Sequence, residues 1–97
     1  MNEEKYLDVM VGEDEDVLKT IIKKAMDAKG VDFNYLLEKA RNDYKDTNSC
    51  VLFISPGKMT MKVFRTICKV LDLNIEVLVA DKDDANNKMN CVIRFTE

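Results

Sequence analysis

From Val17 onward the apolar residues Val17, Leu18, Ile21, Ile22, Ala25 and Met26 recur at steps of three and four, with Lys19, Lys23, Lys24 and Lys29 between them. That spacing puts the apolar side chains on one face of a helix and predicts a helix over Asp16–Lys29. The acids of "GEDED" lie before and at its start, where the helix dipole favours them, and Gly30 supplies a left-handed stop. Asp32 then stands as N-cap of a second helix, "FNYLLEKARNDY", with Phe33, Leu36, Leu37 and Ala40 inward. Helix-weakening residues gather in "NDYKDTNS", which predicts a turn. Farther on, Thr60 caps a helix over Met61–Leu71, whose apolar positions are Val63, Phe64, Ile67, Cys68, Val70 and Leu71.

Elsewhere the period is shorter. "YLDVMV", ending at Val11, alternates for a few positions and reads as a short strand or a docked arm. Residues 74–80, "NIEVLVA", and 90–97, "NCVIRFTE", are rich in β-branched residues and flank the polar "DKDDANNKM". They predict an antiparallel hairpin, which needs the helices or a second chain to pack against. One stretch is ambiguous. By local propensity "CVLFI", Cys50–Ile54, is a strand, closed by the turn signal Pro56-Gly57. A strand there makes a β-α-β crossover and an α/β sandwich; a helix makes a mainly α domain with a small C-terminal β-hairpin. Either way the 97 residues suit one domain, divided into an acidic arm (1–16), a helical core (17–73) and the hairpin (74–97).

Composition narrows the chemistry. With 46% hydrophobic and 34% charged residues the chain is globular in type, and no apolar run approaches the roughly 20 residues of a membrane span. The start lacks the basic and apolar regions of a signal peptide, so a cytoplasmic protein with no membrane association is expected. There is no histidine, which removes the commonest general base. Cys50, Cys68 and Cys91 sit inside apolar runs without metal-ligand spacing or a base partner, so they read as core filling. No enzyme activity, metal or cofactor is expected. The net charge of −3 is uneven: residues 1–16 hold seven acids against Lys5, whereas residues 17–80 hold eleven basic residues against seven acids. The middle of the chain is thus basic enough to approach phosphate.

"GKMTMKVFRTICKVLDLNIEVLV", with "LKTIIKKAMDAKGVDFNYLLEKA" upstream, resembles the Cro/repressor-type (XRE-like) helix-turn-helix domain over roughly residues 17–79. In that family a Gly-Lys loop follows the recognition helix, and a Thr-capped helix and a hydrophobic strand come next. Laying Gly57-Lys58 on that loop makes Thr47 the cap of the recognition helix and turns Val51 and Ile54 inward. The resemblance implies a lambda-repressor-like bundle. The chain departs from the pattern in a longer Arg41–Asp46 segment, in Leu37 and Phe33 at positions usually small and polar, and in Leu52 and Phe53 on the groove side.

What the resemblance implies is a small, dimeric DNA-binding transcriptional regulator of the phage, prophage or antitoxin kind. The start of the recognition helix would meet the duplex, with Thr47, Asn48 and Ser49 toward base edges. Lys45, Lys58, Thr60 and Arg41 would hold the backbone. The C-terminal strands would join two copies through Ile75, Val77, Val79, Val92, Ile93 and Phe95. Leu52, Phe53 and the acidic arm suggest a different class, a phage-type protein-binding inhibitor or adaptor, for instance one that blocks a nuclease.

Overall fold

The structure, a computed structural model, describes residues 4–83 and 88–96. The chain runs β1 (Glu4–Val11), α1 (Val17–Lys29), α2 (Phe33–Lys39), α3 (Asn48–Ile54), α4 (Met61–Val70), β2 (Asn74–Asp83) and β3 (Lys88–Thr96). The strands form one antiparallel sheet in the order β1-β3-β2. The fold is therefore α+β. A mainly α, lambda-repressor-like bundle with only a C-terminal hairpin is ruled out by β1, which pairs with β3 from Glu4 opposite Thr96 to Val11 opposite Met89. An α/β sandwich with Cys50–Ile54 as a strand is ruled out as well, because that segment is helical.

Local chemistry sets most helix ends. Asp16, Asp32 and Thr60 each lie in extended backbone and accept the N–H of Lys19, Tyr35 and Val63 respectively, so α2 and α4 begin where the sequence predicts and α1 begins one residue later, with Asp16 as its cap. Gly30 ends α1 at φ +80°, a conformation that favours glycine. Helix α2 continues into a π-helical turn, Ala40–Tyr44, and Lys45 ends it at φ +56°. The end of that turn, from Asn42, and Lys45 lie in the stretch read as "NDYKDTNS".

Of the two readings of "YLDVMV", a short strand or a docked arm, β1 takes the first. Its alternation turns Val9 and Val11 into the core, while Tyr6, Asp8 and Met10 face solvent. Lys5 lies over the Phe95 ring at 5.8 Å, and its ammonium donates to the Ala28 carbonyl at the end of α1. β3 is the central strand, and its Cys91, Ile93 and Phe95 are fully buried beneath the helices. Ile21, Ile22 and Ala25 of α1, Leu36 of α2, Cys50 of α3 and Ile67 of α4 complete the core. On the outer face Arg94 lies opposite both Tyr6 and Glu76; its guanidinium pairs with Glu76 and stands 3.9 Å from Glu4. The β2–β3 register jumps between Val77 and Val79, leaving Leu78 as a bulge. Residues 84–87 of the expected hairpin loop lie outside the described residues. Among the described residues, no helix is long and apolar enough to cross a membrane.

Candidate nucleic-acid interface

Helix α3 is built from the segment whose sequence alone reads as a strand. Tertiary contact decides it: Cys50 and Phe53 project inward, and the Phe53 ring stacks on Phe33 of α2 with centroids 6.5 Å apart. The loop after α3 is held from the opposite side, since the Lys19 ammonium donates to the Ser55 carbonyl and to the Gly57 carbonyl at 2.7 Å. Ser55 also returns its hydroxyl to the Val51 carbonyl. The result is a short helix fixed at its C-terminal end to α1 and along one face to α2.

The inward face differs from the expected one by a residue. Val51 and Ile54, expected inside, are 53% and 63% exposed, whereas Phe53, laid on the groove side by the resemblance but equally readable as core packing or a protein contact, is 5% exposed and in the core. Leu52 is exposed at 52%. The outward surface of α3 therefore carries Asn48 followed by three aliphatic residues. A stop at Ser55, which returns to extended backbone before Pro56, keeps the helix to two turns.

The start of α3 also departs from expectation. The Thr47 side chain makes no cap bond; instead the Asp46 carboxylate accepts the Asn48 N–H at 2.9 Å. A carboxylate already occupies the position at which the helix start would have met phosphate, and Asp46 also raises the pKa of the buried Cys50 thiol, after burial itself. Asn48 is exposed and Ser49 half-buried. Thr60 is engaged as the cap of α4. Arg41, Lys45 and Lys58 are exposed, and none of them forms an ion pair with a described residue. Asp43 and Asp46 lie in the same stretch, so cations outnumber acids around the helix by only one.

Of the residues expected at a dimer face, the side chain of Val79 lies outside what is described, and the other five are spread over three environments. Ile93 and Phe95 lie wholly inside the chain's own core and have no surface to offer a second copy. Val92 is half-buried on the outer face of β3, opposite Asp8 and Val79. Ile75 and Val77 line a groove between α4 and β2. That groove has no sequence signature, because its walls come from separate elements. Among the described residues no set of three or more acids, cysteines or histidines stands close enough to hold a metal ion. No family model, curated protein or solved structure matches this chain.

Proposed function

We propose that the chain is a small DNA-binding transcriptional regulator that presents α3 to the duplex, two copies acting together. The observation that carries this reading is the helical state of Asn48–Ile54, anchored through Phe53 and leaving its other face outward beside Arg41, Lys45 and Lys58, which pair with no acid among the described residues. Those three cations supply backbone contacts, and Asn48 is the side chain suited to a bidentate contact with adenine. Val51 and Leu52 suit thymine methyl groups. One such helix spans few base pairs, so half-sites about one helical turn apart are expected. The test is a mobility-shift titration with source-genome fragments at several salt concentrations. Lys45→Ala and Lys58→Ala should each weaken binding across all sequences and flatten the salt dependence, whereas Asn48→Ala should relax sequence preference. Absence of binding at low salt would overturn the proposal.

A second reading rests on Val51, Leu52 and Ile54, three exposed aliphatic residues on one two-turn helix. Such a patch suits a protein partner, as in an inhibitor or adaptor. Leu52→Lys separates the two: it should abolish a protein complex while leaving non-specific DNA affinity equal or higher.

A further inference from the structure

We propose that the groove between α4 and the free edge of β2 is a docking site for an extended peptide segment, apolar and acidic by turns, from a partner protein. The site does not depend on what α3 binds. β2 ends the sheet, so one side of its backbone faces no strand among the described residues. An edge of this kind can take an added strand through main-chain hydrogen bonds, with side-chain pockets beside it giving selectivity.

Such a pocket lies alongside. The groove has a volume of about 540 Å³ and runs beside Asn74, Ile75, Glu76 and Val77, the half of β2 that precedes the Leu78 bulge. Phe64 and Leu73 are buried in its wall and Leu18 is half-buried there, while Met61 and Val77 are 49% and 46% exposed at its sides. The bulge breaks the edge at Leu78, which limits an added strand to the stretch beside the groove.

Charge selects the occupant. Arg65 and Lys69, one helical turn apart on α4, line the rim and are exposed. The Arg65 guanidinium has no hydrogen bond or ion pair with a described residue, and the Lys69 ammonium stands over the Tyr44 ring at 5.8 Å without pairing with an acid among the described residues. Glu76, the sole acid in the wall, has its carboxylate taken by Arg94. The rim is therefore positive and suits a segment with carboxylates. The surface beside β1, the other edge, mixes Asp8, Glu15 and Asp27 with Lys23 and Lys24 and selects neither sign. A second copy is disfavoured at β2, because two-fold pairing of the edges brings the Arg65 and Lys69 rims toward each other.

The experiment pans a phage-displayed random peptide library on the immobilised full chain and rescreens winners on Arg65→Glu and Arg65→Gln variants whose thermal unfolding matches the parent. Enriched sequences should alternate apolar residues with Asp or Glu, and should lose about tenfold in affinity on Arg65→Glu and less on Arg65→Gln. A synthetic winner should slow amide exchange at Asn74–Val77. The proposal is overturned by no enrichment, by basic or uncharged winners that bind all forms equally, by slowed exchange at α3 instead, or by self-association that protects those amides.

Discussion

Cys50, Cys68 and Cys91 are free and buried, and burial pushes all three thiols upward. Cys68, between α4 and the groove, is raised from 9.0 to about 11. A thiol is neutral when protonated, so the folded chain holds this proton to higher pH than the unfolded chain. Stability from Cys68 is then complete below about pH 9 and is lost as pH rises toward 11, by roughly 2–3 kcal/mol. Urea unfolding across that range should show a steeper decline for the parent than for Cys68→Ala; parallel declines would refute the assignment. That the cysteines fill the core was legible from their apolar neighbours and odd number. Which thiol would be raised most was not, because it depends on packing between α4 and the sheet.

At the scale of elements, the phase of α3 is the sharpest distinction between sequence and structure. Phe53→Ala should cost about 3–5 kcal/mol, since the ring is buried against Phe33, whereas Ile54→Ala should change stability by less than about 0.5 kcal/mol. Equal effects of the two in thermal melts would show the helix rotated from this position. The starts of α1, α2 and α4 were legible because a cap is a bond between near neighbours: Asp16 with Lys19, Asp32 with Tyr35, Thr60 with Val63. The inward face of α3 is set by residues of other elements, Phe33 of α2 and the packed side of α4 among them, and no spacing within "NSCVLFI" carries that information. A one-residue difference here decides whether the outward surface is aromatic or aliphatic, and so bears on both proposed partners.

For the molecule as a whole, the decisive element is β1. The short alternation of "YLDVMV" was visible, but its partner was not, since strand pairing between Glu4 and Thr96 has no local signal. The acids before Val17 read together as an acidic arm; among them Glu4 stands beside Arg94, Glu15 accepts the Gly12 N–H, and Asp16 caps α1. Removing residues 1–11 should therefore abolish cooperative unfolding, because it strips the cover from one side of β3 and leaves a two-stranded hairpin. Circular dichroism and a thermal melt check this; a truncated chain that still melts cooperatively would return β1 to the status of an arm.

The central place of β3 also sets an order of events during synthesis. β1 leaves the ribosome before the other described elements, and the strand it pairs with leaves after them. The sheet stays incomplete until β3 has emerged, so its closing step joins the two most distant strands of the described fold and carries the largest loop entropy. Until that step, the inner faces of β1 and β2 lack the strand between them. The time at which this protein is most exposed to wrong partners is thus fixed by the position of one strand.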